Sequence, residues 1–210
     1  MNQKQQKILN WFGVIAPLWL LAGVTISGAL YPGYDHYNQA MSELHARGSA
    51  VELLTPILNH YLLTLLFIGF GVFVYLHCKQ SRLAQASAVF IAIHGIATFV
   101  AGYFPCDTGC LLENPSSSQS IHNIAGAVLF LSLLIAQLLW IVLAMKGRAK
   151  AWFGWFTVVC VAAALAVIPA MGHALESGEG FGLYQRLNYG AALCWLLVLA
   201  LLLRSPFKHS

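Results

Sequence analysis

Six stretches of this chain, at about 10–31, 53–77, 83–105, 120–145, 151–171 and 187–203, contain no Asp, Glu, Lys or Arg. A helix needs about 20 apolar residues to cross the hydrocarbon core of a bilayer. In lipid every backbone N–H and C=O must be satisfied within the protein, so runs of this length and apolarity form helices. No alternation of period two suggests a β-barrel. The expected fold is all-α: a single domain over residues 1–210 built as a bundle of six transmembrane helices. Composition agrees, with 59% hydrophobic and 9% charged residues, against about 25% charged in a water-facing domain. The basic start and apolar run at the N-terminus look like a secretory signal. However, the run from Trp11 to about Tyr31 exceeds the roughly 7–15 residues of such a segment. It is expected to be a retained first span.

Charge sets the expected orientation. With alternate connections on one side, Lys4, Lys7, Lys79, Arg82, Lys146, Arg148, Lys150, Arg204 and Lys208 share a side that has no acid. Asp35, Glu43, Glu52, Asp107, Glu113, Glu176 and Glu179 fall on the other side with only Arg47 and Arg186. The positive-inside rule makes the basic side cytoplasmic, so both termini are expected there, in a bacterial-type inner membrane. The cytoplasmic connections are minimal and the outer ones long. Loops carry function more often than the helices that support them, so the outer face is where chemistry is expected.

The first outer loop reads PGYDHYNQAMSELHARGSAVELL. Asp35 can cap a helix running to about Arg47, with Gly48 as its stop. Tyr37, Met41 and Leu44 would form its apolar stripe, and Glu43 and Arg47 a pair four residues apart. This pattern predicts a short amphipathic helix on the membrane surface. The alternative is that Ser42, Glu43 or His45 line a pocket beneath it. In the second outer loop, Cys106 and Cys110 are the cysteines expected outside, where disulfides persist. A structural bridge is the simpler reading. A redox pair is the other, although the spacing is CxxxC and no second outer pair exists for relay. Ser118 or Ser120 can cap the fourth helix. Arg186, at the outer edge of the sixth span, breaks the charge trend. It calls for a partner: Asp107, Glu176, Glu179 or a lipid head group.

His60, His122 and His173 sit on three spans near the outer boundary, with Asp107 at the same level. Ionisable groups at membrane depth usually face the bundle interior and mark function. Three imidazoles and a carboxylate suit a zinc ion with water completing the shell. No HExxH or HxxxH spacing supports this, and interhelical hydrogen bonding is the bland alternative. His60, His77, His94 and His122 could supply haem ligands, but no two spans carry matched histidines, so haem is not expected.

The loop motifs YPGYDHYNQAMSELHARGS, FPCD, the HN of the fourth span and the LYQR of the sixth, in this order, resemble a family of bacterial and archaeal membrane proteins. That family is designated domain of unknown function 998. The resemblance covers nearly the whole chain. It implies a six-helix bundle and points to Ser42, Leu44, Pro105, Asp107, His122 and Arg186. His60 and His173 lie outside its pattern, and it implies no particular reaction. A looser likeness is to membrane hydrolases related to alkaline ceramidases and adiponectin receptors, which hold zinc with a Ser, an Asp and three His. Ser42, Asp107, His60, His122 and His173 match those in residue type only. Six helices and the missing HxxxH spacing are departures.

Three functions follow as expectations. The first is a polar pocket facing the outer leaflet that binds a membrane lipid or small amphiphile through Ser42, Asp107, His122 and Arg186. The second is a zinc-dependent lipid hydrolase using His60, Asp107, His122 and His173. The third is a non-catalytic partner of another membrane protein, or a homo-oligomer. Nothing points to nucleic acid. A transporter is disfavoured, because no inverted repeat is visible and only His94 and Gln137 offer polar groups near the midplane. The charge argument is directly testable with topology reporters. A reporter fused after Lys150 is expected in the cytoplasm, and one inserted near Ser117 is expected to be exported. The reverse pattern would overturn the orientation.

Overall fold

The computed structural model describes residues 2–111 and 113–204. Lys208 and His209 lie outside the described residues. Six helices are long and apolar enough to cross a membrane: α1 (Gln3–Leu30), α2 (Leu54–His77), α3 (Arg82–Tyr103), α4 (Ser117–Met145), α5 (Ala151–Ser177) and α6 (Phe181–Leu202). The chain is a multi-pass membrane protein.

The helices extend past the apolar runs that announce them. α1 starts at Gln3 because the Asn2 side chain accepts from the Gln5 N–H (2.8 Å) while the Gln5 side chain accepts from the Asn2 N–H (3.0 Å). This reciprocal cap satisfies two orphan donors and carries the helix through Lys4 and Lys7. α4 is capped by Ser116, two residues before Ser118 and about one turn before Ser120. α5 kinks at Val167. Pro169 lacks the N–H that would bond the Leu165 carbonyl, and its ring crowds that turn. Asn188 of α6 donates to the Ala164 carbonyl beside the kink (2.7 Å). α2 carries a π-turn at Ile57–Tyr61, directly after Pro56. There the Trp19 indole N–H donates to the Leu58 carbonyl (2.8 Å).

Each helix packs against its sequence neighbours, and α6 returns to α1, so the six form a closed ring. Short connections make neighbouring helices antiparallel. Phe67, Phe70, Trp140, Phe153 and Trp195 fill the centre and are fully buried. Ala88, Gly95 and Gly102 recur every seven residues along α3. Small side chains there let α2 approach closely, the usual basis of helix association in lipid. A side chain at Gly95 would come within 2.8 Å of Ile68, and one at Gly102 would overlap His60.

One end of the ring carries the long connections 31–53 and 104–116, with only three residues, 178–180, joining α5 to α6, because helix covers most of the stretch expected as a third long loop. This loop-rich end departs from the expected surface helix. Residues 35–39 form a tight turn in which Asp35 accepts from the Tyr37 N–H (2.8 Å) and the Asn38 side chain (2.6 Å). Only Met41–His45 is helical, as a short 3-10 helix. An α-helix over this segment would need the Tyr37 and Asn38 carbonyls for its own bonds. They accept instead from the Leu183 N–H (2.9 Å) and the Gly182 N–H (3.1 Å) at the start of α6. Of the expected stripe, Leu44 is fully buried, Met41 half-buried and Tyr37 exposed.

Candidate functional site

The first turn of α6 has N–H groups with no partner inside the helix. The loop after α1 supplies their acceptors. Asn38 contributes both its backbone carbonyl and its side chain, which accepts from the Gly180 N–H (2.8 Å). Gly182 permits this close approach, because a Cβ there would overlap the Gln39 carbonyl. Gln185 adds a bond from the Met41 N–H (2.7 Å).

Arg186 locks the arrangement. Its Nη1 donates to the carbonyls of His36 (2.8 Å), Gln39 (3.0 Å) and Gly182 (2.8 Å). Its Nη2 donates to the Tyr34 hydroxyl (2.7 Å) and to His36 Nδ1 (3.2 Å). All five acceptors are neutral. Asp107, Glu176 and Glu179, the acids considered for this arginine, are not among them. The loop fills the hydrogen-bonding role, and no carboxylate bonds the guanidinium directly; Asp35 and Glu43 lie close enough to act on the Tyr34 hydroxyl it bonds. The Nε–H is buried and has no acceptor.

Arg186 and His36 stand at the mouth of a cleft of about 590 Å³ between α1 and α6. Its walls are apolar: Pro17, Leu18, Leu21 and Val24 from one helix, Gly190 and Leu193 from the other, with Met41 above. Eight residues separate Arg186 from Cys194 at the far end, so the cleft runs about 12 Å along the helix. Tyr189 lines it with its ring and turns its hydroxyl away to His94 Nε2 (2.7 Å). His94 Nδ1 is bonded in turn to the Leu129 carbonyl (3.0 Å).

The other sequence-derived candidates are placed as follows. Ser42 lies half-buried on the 3-10 helix and is not among the residues that line the cleft. Asp107 staples the α3–α4 connection: its carboxylate accepts from the Ser116 N–H (2.8 Å), and its N–H donates to the buried Gln119 side chain (2.8 Å). The Ser116 bonds, and then the charge of Arg47, hold the Asp107 carboxyl below the usual carboxylate range. Cys106 and Cys110 form a disulfide in the same connection. The Cys106 carbonyl accepts from the Arg47 N–H (3.0 Å), tying this loop to the first one.

His122 places Nδ1 on the carbonyls of Ala101 (3.0 Å) and Phe104 (2.9 Å) at the end of α3. His60 packs beside Gly102 in the same turn. His173 does not join them. It sits exposed on the far part of α5, which packs on α6. The histidine that does reach His60 is His45, 96% buried, with ring centroids 5.4 Å apart. Among the described residues, no group of three or more His, Cys, Asp or Glu side chains is placed so that it could hold a metal ion. The sequence shows all of these histidines but not that His45 meets His60, because the register shift at the π-turn has no sequence mark beyond Pro56.

A family model described as "Protein of unknown function (DUF998)" matches residues 14–202. No curated protein and no solved structure matches the chain.

The Arg186 clamp carries a pH dependence. A guanidinium only donates, so His36 Nδ1 must be a lone pair and the ring neutral. Partial burial, and then the charge of Arg186, hold His36 below the usual imidazole range. The unfolded chain takes up this proton first, near pH 6.5. The bond's stabilisation is therefore complete above that pH and is lost as the pH falls toward the lower folded value. Thermal unfolding of detergent-solubilised protein is expected at lower temperature at about pH 5.5 than at about pH 7.5. His36→Gln, which does not titrate, is expected to flatten part of that slope. An identical slope in the variant would contradict the assignment.

Proposed function

Because this chain belongs to the DUF998 family of proteins of unknown function, its activity must be read from its own geometry, and we propose that it binds one anionic membrane lipid in the cleft between α1 and α6. The protein sits in the inner membrane with both termini in the cytoplasm, and the cleft opens to the outer leaflet. The segregation of the basic residues supports this orientation. The observation that carries the reading is the pairing of an apolar cleft with an arginine whose acceptors are all neutral. A cation with no carboxylate bonded to it is costly at membrane depth. An anionic head group beside it offsets that cost with charge-assisted hydrogen bonds. The apolar walls below offer an acyl chain the contacts it has in the bilayer, in a fixed geometry. Ser42, Asp107 and His122 take no part: Asp107 and His122 serve the α3–α4 connection and Ser42 the loop above.

Two variants test the reading by different routes. Arg186→Gln removes the charge but also loosens the loop clamp. Gly190→Phe leaves the clamp alone and fills the cleft, since nothing lies within 4 Å of a Cβ at that position. Lipid that co-purifies with the protein in mild detergent is quantified by mass spectrometry. The wild type is expected to retain an anionic lipid, and both variants to lose at least tenfold of it, about 1.4 kcal/mol in binding. Retention of the same lipid in Gly190→Phe would sink the proposal.

A further inference from the structure

Arg186 supplies charge at the mouth of the cleft, but its hydrogens are committed elsewhere. A guanidinium has five N–H donors. The Nη1 hydrogens go to the carbonyls of His36, Gln39 and Gly182, and the Nη2 hydrogens to the Tyr34 hydroxyl and His36 Nδ1. The fifth, on Nε, is buried. A head group that docks beside this arginine meets a cation with no open hydrogen.

His36 has one. A guanidinium cannot accept, so His36 Nδ1 is the acceptor in the bond with Arg186 and the ring proton sits on Nε2. Among the described residues, nothing accepts from that N–H. His36 is exposed and lines the cleft together with Arg186. The ring edge that carries Nε2 lies over the last turn of α1. Gly28 leaves room for it there, since a Cβ at that position would come within 2.5 Å of Nε2. Val24 and Thr25, one turn deeper on the same helix, belong to the cleft wall. An edge contact with Tyr34, with ring centroids 4.9 Å apart and planes at 88°, supports the ring in this pose.

On the reading of this cleft as a lipid site, we infer that His36 is the residue that hydrogen-bonds the head group: its Nε2–H donates to an anionic oxygen, while Arg186 contributes charge and holds the ring. A hydrogen bond to an ionised acceptor is shorter and stronger than a neutral one. The Arg186–His36 bond prepares the donor in two ways. It decides which ring nitrogen carries the proton, and it polarises the ring so that the Nε2–H donates more strongly. The ligand chemistry this calls for is an anionic oxygen at the head of an acyl chain, as in the phosphodiester of a phospholipid or the carboxylate of a fatty acid.

Two amide substitutions separate the two ring nitrogens. In His36→Asn the amide oxygen stands near the place of Nδ1 and still accepts from Arg186, but no donor reaches as far as Nε2. In His36→Gln the amide reaches that far and donates, but the acceptor beside Arg186 is lost. Phosphatidylglycerol and oleate are offered separately to delipidated full-length protein in detergent. Binding is measured by native mass spectrometry, and thermal unfolding is recorded for each variant. His36→Asn is expected to bind about tenfold more weakly and to unfold near the wild-type temperature. His36→Gln is expected to keep most of the binding and to unfold earlier. These opposite orders are what a merely structural role would not produce, and the lipid whose binding falls tells phosphate from carboxylate. If His36→Asn binds like the wild type while Gly190→Phe does not bind, this assignment is overturned and the lipid reading stands. Equal losses of binding in the two His36 variants overturn it as well. A wild type that binds neither lipid overturns both.

Discussion

The guanidinium of Arg186 satisfies hydrogen-bond acceptors from two parts of the chain at once, the turn after α1 and the first turn of α6. Carbonyls that would otherwise close a helix in the loop after α1 instead accept from the start of α6. The loop is thereby pulled over the seam between the first and last helices, and the ring closes beneath it. A side chain with five donors in a planar fork can do this, and a lysine cannot. The clamp satisfies hydrogen bonds without bonding a carboxylate to the guanidinium. That separation gives the cleft below it a polarity: cationic at its mouth and apolar along its length.

The six spans were legible because lipid leaves the backbone no choice. Any stretch as apolar as 53–77 or 120–145 must bond to itself, and the sequence carries that instruction residue by residue. The ends were less legible. Apolarity marks where lipid stops, while Asn2 and Ser116 decide where the backbone bonds stop. Arg186 stood out from charge alone. Its partners did not, because backbone carbonyls occur at every residue and leave no mark. The loop from Asp35 to Arg47 has the spacing of an amphipathic helix. Tertiary bonds from Gly182 and Leu183 override that spacing, and local side-chain bonds from Asp35 compete with it.

The histidines show the same division. Their residue types announced a polar cluster near one end of the bundle. Which of them meet depends on a register change in α2 and on the absence of a side chain at Gly102, and neither is a pattern of periodicity. His45 was assigned to a surface helix and instead lies buried against His60. His173 shared the expected depth but sits past the Pro169 kink, on the far part of α5 beside α6. Depth along a span can be read from a sequence; position around a ring of helices cannot.

The most direct measurement is a structure of the protein in nanodiscs of mixed zwitterionic and anionic lipid, resolved well enough to see acyl chains. The account requires one ordered chain lying along Leu18, Leu21 and Leu193, with its anionic head group against Arg186. A cleft that is empty, or filled by a lipid whose head group lies away from Arg186, would contradict it.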